Sequence, residues 1–106
     1  MKLYLKRPRA GIDAVAEYNA EAGTFTVLKG SKVSATVAHT EKFRGTKSIE
    51  KSRESTVEDN MVIKDVIFKS SSTAANYVTG SSTNGMTAWK DKNGVTFKEL
   101  FGSKEA

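Results

Sequence analysis

The residues best suited to bond-making chemistry are few and scattered. His39 is the only histidine among 106 residues and there is no cysteine, so neither a two-histidine metal site nor a thiolate site can be built from this chain. His39-x-Glu41 offers two groups at most, in a polar stretch. A serine nucleophile would need His39 as its base, and no Gly-x-Ser-x-Gly turn exposes a hydroxyl for it. Asp59, Asp65, Asp91 and Glu99 sit in contexts that read as turns and caps rather than as an acid and base pair. No catalytic residue, metal or cofactor is expected, and the chain reads as a non-enzyme.

Binding chemistry is better represented. Lys29-Gly30-Ser31-Lys32 sets a glycine between two ammonium groups, where backbone N–H groups can approach a phosphate. Its spacing is not that of a P-loop, and a strand-end turn is the simpler reading. The Asn84 amide has the donor and acceptor needed to grip adenine N6 and N7, although Gly85 beside it favours a plain turn. Trp89, the only tryptophan, can stack on a base or fill the core; core packing is the commoner use. At the N-terminus, Lys2, Lys6, Arg7 and Arg9 suit either a phosphate-touching arm or, the preferred reading, a charged edge that resists aggregation.

The elements that must position these residues follow from periodicity. Val66-Ile67-Phe68 is a short β-branched run leading into Ser70, an N-cap for a helix over Ser71 to Thr79 that Gly80 ends. Ala74, Tyr77 and Val78 fall on one face of that helix, and its alanines allow close approach to a sheet. Asn84-Gly85 predicts a tight turn, and Met86 to Lys90 alternates as a half-buried strand with Thr87 and Trp89 on one face. Asp91-Lys92-Asn93-Gly94 fits a type I turn, Val95 a brief return strand, and Thr96-x-x-Glu99 has capping-box spacing for a short helix from Phe97 to Phe101, ending at Gly102.

Earlier in the chain, Leu3 and Leu5 alternate as in an edge strand that Pro8 halts. Gly11 to Asn19 and Thr24 to Leu28 alternate with period two, and Ala20 to Gly23 joins them as a hairpin in the middle of the sheet. Val33 to Val37 suits either a strand or an extended connection. Thr40 to about Ser55 predicts a mostly solvated helix capped by Thr40 and weakened by Gly45, whose Lys42, Arg44, Lys47, Lys51 and Arg53 are diluted by Glu41, Glu50 and Glu54. Glu58-Asp59-Asn60 turns the chain into a short strand, Met61 to Ile63.

The pattern Phe68-x-Ser70-x-Ser72-x-Ala74-Ala75, then Gly80-x-Ser82-x-Asn84-Gly85, then Trp89-Lys90-Asp91-x-x-Gly94, resembles the signature of a microbial family of domains of unknown function. Phe25-x-Val27-Leu28-Lys29-Gly30-Ser31-Lys32 resembles the same family's earlier strand. Met86 stands where relatives usually have an aromatic residue, and Ser71 where they often have proline. Members are often fused behind GIY-YIG nuclease-like or restriction-associated modules and look related to restriction and adenine-methylase-associated domains. The resemblance implies an accessory role with DNA or a nucleic-acid enzyme as partner. With it, the candidate nucleic-acid contacts are Lys29, Ser31, Lys32, Ser82, Asn84, Lys90 and Lys92. A protein-interaction module without nucleic-acid contact is the alternative.

The whole-chain balance agrees with that reading without compelling it. Seventeen Lys and Arg against twelve Asp and Glu give a net charge of +5 and a pI near 9.5, which permits polyanion binding. No apolar run approaches the ~18 residues of a membrane span, and no apolar segment follows the N-terminal basic residues as in a secretory signal. With no cysteine, the expectation is a cytoplasmic chain with no membrane partner. One α+β domain is expected, a mainly antiparallel sheet of about five short strands with two or three helices packed on it.

Overall fold

The computed structural model describes residues 1–35 and 46–101. The strands and helices, in chain order, are β1 (Lys2–Arg7), β2 (Ile12–Asn19), β3 (Thr24–Val27), α1 (Thr46–Glu54), β4 (Val57–Glu58), β5 (Met61–Val62), β6 (Val66–Phe68), α2 (Ser71–Thr79), α3 (Gly85–Ala88) and α4 (Phe97–Phe101). A single 3₁₀ turn at Pro8–Ala10 ends β1, because proline cannot continue the ladder and its fixed φ opens a turn. The class is α+β, as the periodicities predict.

β1, β2, β3 and β6 form one antiparallel sheet in that spatial order, and β4 with β5 forms a separate small hairpin. Tyr18 faces Phe25 and Ala16 faces Val27, so the β2–β3 hairpin does occupy the middle of the sheet. Along each strand alternate side chains point inward: Leu3 and Leu5, then Ile12, Ala14 and Ala16, then Phe25 and Val27 are all buried. The β4–β5 turn is made by Asp59 and Asn60, both left-handed at φ 51 and 63, the backbone a two-residue hairpin loop requires.

α2 lies across the inner face of the sheet and buries Ala74, Ala75, Tyr77 and Val78. Ser70 caps it through its hydroxyl, which accepts the Thr73 N–H at 3.1 Å, and Gly80 ends it. The remaining core is aromatic. Phe97 meets Tyr18 and Phe25 edge-on at centroid separations of 4.9 and 5.0 Å, and Phe101 packs on both Tyr18 and Phe97. Each fully buried ring of this kind contributes about 1.5–3 kcal/mol of transfer free energy, so α4 is pinned by Phe97 although it is barely more than one turn long.

Two expectations are corrected. Met86 to Ala88 is helical rather than extended: Asn84 does not turn the chain but caps α3, its side-chain oxygen accepting the Met86 N–H at 3.0 Å. Gly85 is accordingly not needed for positive φ; a Cβ there would lie 2.2 Å from the Ser71 carbonyl carbon, so the glycine is what lets α3 touch the first turn of α2. Trp89 is buried as expected, at 0 % exposure, but from the end of α3, with its indole N–H donated to the Ser71 carbonyl at 3.0 Å.

The second correction concerns Arg53. Its guanidinium turns inward and donates to the carbonyls of Tyr77, Val78 and Ser34 and to the Ser34 hydroxyl, rather than lying on the solvated face expected of this helix. Those carbonyls include the last turn of α2, where a cation also meets the negative end of the helix dipole. Burial pulls the Arg53 pKa down, a cost the neighbouring Tyr77 partly offsets. Of the expected helix over Thr40 to Ser55, the described part is α1; Thr40, Glu41, Lys42, Phe43, Arg44 and Gly45, like Thr36, Val37, His39 and Gly102, lie outside the described residues.

Candidate nucleic-acid interface

Lys90 brings the C-terminal third of the chain to the edge of the sheet. It exchanges two backbone hydrogen bonds with Tyr4, 2.6 and 2.9 Å, and so forms a one-residue extension of the sheet beyond β1. Lys90 leads into the Asp91–Gly94 turn, which closes with the Gly94 N–H on the Asp91 carbonyl at 3.0 Å, and Gly94 itself adopts φ 83. The Asp91 carboxylate is drawn into that turn, one oxygen accepting the N–H groups of Asn93 and Val95 at 2.8 and 3.0 Å. Lys92 is therefore presented from a braced turn, not a loose loop.

Between this turn and β1 lies an open cleft of about 610 Å³, lined by Tyr4, Leu5, Lys6 and Arg7 on one side and by Thr87, Ala88, Lys90, Asp91, Lys92 and Gly94 on the other. Four cationic residues thus line one concavity. None of Lys6, Arg7, Lys90 and Lys92 is ion-paired with a carboxylate among the described residues, where the N-terminal ammonium and Glu17 make an ion pair instead. The Lys6 ammonium is exposed and stands 5.5 Å from the centre of the Tyr4 ring, within cation–π range. The lining holds four cations against the single carboxylate of Asp91, which is itself taken up by the turn, and such an excess of positive charge raises the local potential and attracts phosphate-bearing ligands.

The candidate residues divide by location. Lys90 and Lys92 share the cleft. Lys32 is separate from it but not remote: it lines a shallow recess of about 210 Å³ together with Lys6 and Asp13, and its backbone pairs with Asp13. Lys29 is exposed, and its N–H is held by Asp65 at 2.8 Å. Ser31 is buried at 3 % exposure, and its hydroxyl donates to the Val15 carbonyl, which also takes the Leu28 N–H, and accepts the Val15 N–H, giving that N–H the partner the departing chain does not provide. Asn84 uses its amide oxygen as the α3 cap. Ser82 is exposed, in a loop tied down by Thr79 and Thr83.

Lys6 and Arg7 were read from the sequence as edge protection and were missing from the candidate set. The signal that would have found them was pairing: a strand-like residue at position 90 needs a neighbour, and β1 is a free edge. Among the described residues no group of three or more His, Cys, Asp or Glu is placed to hold a metal ion, and no described helix is long and apolar enough to cross a membrane.

No curated protein and no solved structure matches this chain. Residues 3–101, which take in both walls of the cleft, match the model of a domain of unknown function (DUF4357), and the chain belongs to that family.

Proposed function

We propose that this chain is a non-catalytic, cytoplasmic accessory domain that binds nucleic acid through the cleft between β1 and the Asp91–Gly94 turn, in the service of a DNA-modifying or restriction enzyme. The observation that carries the proposal is the convergence of Lys6, Arg7, Lys90 and Lys92 on one open concavity. The net charge of +5 supports it, since it favours association with any polyanion. Contacts of this kind are made to the backbone of the nucleic acid and read little sequence. The Asn84 amide and the Trp89 ring, the two groups best able to read a base, are engaged in the fold.

The test is salt dependence. Four neutralised phosphates at about −0.9 each give a slope of log affinity against log salt of roughly −3 to −4. Fluorescent duplex and single-stranded oligonucleotides titrated at several salt concentrations measure it. Lys6→Gln with Lys92→Gln should flatten the slope by about two, while Lys47→Gln with Lys51→Gln on α1 should leave it unchanged. Absence of binding to either oligonucleotide at low salt would refute the proposal and leave a protein-interaction module in its place.

A further inference from the structure

Among the described residues β6 is the other edge of the sheet, paired only with β3. The ladder fixes which way its backbone points. Leu28 donates to the Val15 carbonyl, so Leu28, Thr26 and Thr24 direct their polar groups toward β2, and Phe25 and Val27 direct theirs toward β6. Val66 and Phe68, facing Val27 and Phe25, bond inward. Ile67 between them turns its N–H and C=O out of the sheet, and neither meets a partner among the described residues.

The Ile67 side chain is equally bare, 67 % exposed, the most exposed of the large apolar residues described. Open edges are ordinarily protected by a lysine, a proline or a covering segment at their centre, and here the centre is isoleucine. The charges lie outside it: Asp65 and Lys69, both exposed, flank β6 symmetrically about Ile67 and share its face by the two-residue period. An antiparallel partner of the same sequence, centred on Ile67, sets Val66 against Phe68 and Asp65 against Lys69, each combination occurring twice.

We propose that two copies of this chain associate through β6, Ile67 pairing with Ile67 about a two-fold axis, to join two four-stranded sheets into one. The occupant is a second copy because the edge is complementary to itself: an acid before the strand and a base after it meet their opposites only when the chain runs back against its own sequence. Asp65 uses one oxygen for the Lys29 N–H and keeps the other for this contact. The contact is short, so the dimer is weak and concentration-dependent. It leaves β1 and the cationic cleft free, at opposite ends of the joined sheet.

Sedimentation of the chain at concentrations up to about 1 mM tests this. The apparent mass should rise from the 11.5 kDa of one chain toward twice that value. Ile67→Lys, whose exposed position tolerates the change, should hold the protein monomeric. Asp65→Lys and Lys69→Asp should each fail to self-associate, because like charges then face each other at both ends, yet an equimolar mixture of the two should form dimers, since every facing pair is again opposite. Circular dichroism checks that each variant is folded; if Asp65→Lys is not, Ile67→Lys and Lys69→Asp carry the test. A wild-type chain that stays monomeric throughout, or a dimer indifferent to Ile67→Lys and Lys69→Asp, overturns the proposal.

Discussion

Replacing Gly85 with alanine sets two physical effects against each other, and the structure decides between them. Gly85 opens α3 without a positive φ, so helix propensity and the smaller entropy of the unfolded alanine chain both favour the substitution, by about 1 kcal/mol. The close approach opposes it. The new Cβ would lie 2.2 Å from the Ser71 carbonyl carbon, 2.3 Å from its oxygen and 2.4 Å from the Ser72 nitrogen, all backbone atoms of the first turn of α2. No rotamer change relieves such a clash; one helix must move, stretching the Trp89 to Ser71 hydrogen bond and the Gly85 N–H bond to the Ser72 hydroxyl. Overpacking of this kind costs about 3 kcal/mol or more when backbone is the obstacle. The net is a loss of roughly 2 kcal/mol or more, a fall in Tm of roughly 8–16 °C for a chain of this size. Urea denaturation with the slope checked against wild type measures it. A Gly85→Ala chain as stable as wild type, or more stable, would refute the packing argument and leave propensity in command.

Three further outcomes follow from the core. Trp89→Ala should cost about 3–5 kcal/mol, and Trp89→Phe should recover most but not all of it, because the Ser71 carbonyl stays buried without its indole donor; equal midpoints for Trp89→Ala and wild type would place the ring on the surface. Arg53→Ala should cost roughly 2–3 kcal/mol, chiefly through the Tyr77 carbonyl that it strands at the end of α2, the Val78 carbonyl keeping the Ser34 N–H, and Arg53→Lys should restore only part, since an ammonium cannot fork across several carbonyls; a neutral Arg53→Ala in urea denaturation would sink this. The Tyr77 hydroxyl is pushed above its ordinary value of 10.0 by burial, against the opposing pull of Thr56 and Arg53. Its folded pKa is raised, so its stabilisation is intact below about pH 10 and is lost as pH rises from there toward the folded value. Wild type should therefore lose more stability than Tyr77→Phe between about pH 9 and pH 11, and parallel declines in the two chains would contradict the assignment.

How much of this fold a reader could take from the sequence depended on whether local chemistry or a distant partner decided each element. α2 was readable because Ser70, the Ala74/Tyr77/Val78 face and Gly80 are all local signals, and each agrees with the others. The β2–β3 hairpin was readable for the same reason. Met86 to Ala88 was misread because alternation over five residues fits a strand and a single helical turn about equally well, and the deciding fact, a packing of Gly85 on the Ser71 backbone too close for any Cβ, belongs to a contact across 14 positions of sequence. Arg53 was misread because a lysine-rich helix looks solvated all round, while the carbonyls that call for a donor lie 24 residues away.

The candidate site followed the same rule. Lys90 and Lys92 could be nominated from a turn signal, but their significance rests on the bridge from Lys90 to Tyr4, which pairs the first strand with a residue from the last quarter of the chain and so adds Lys6 and Arg7 to the same cleft. The two edges of the sheet are thereby made different. At β1, a neighbouring segment and a row of unpaired cations suit a polyanion and discourage another strand; at β6, a bare isoleucine with an acid on one side and a base on the other suits a strand and offers little to a phosphate. Removing the β1 cations should then change salt-dependent binding and leave self-association intact, whereas Ile67→Lys should do the reverse. A single substitution that abolished both would mean that the edges are not independent, and that one contact serves both partners.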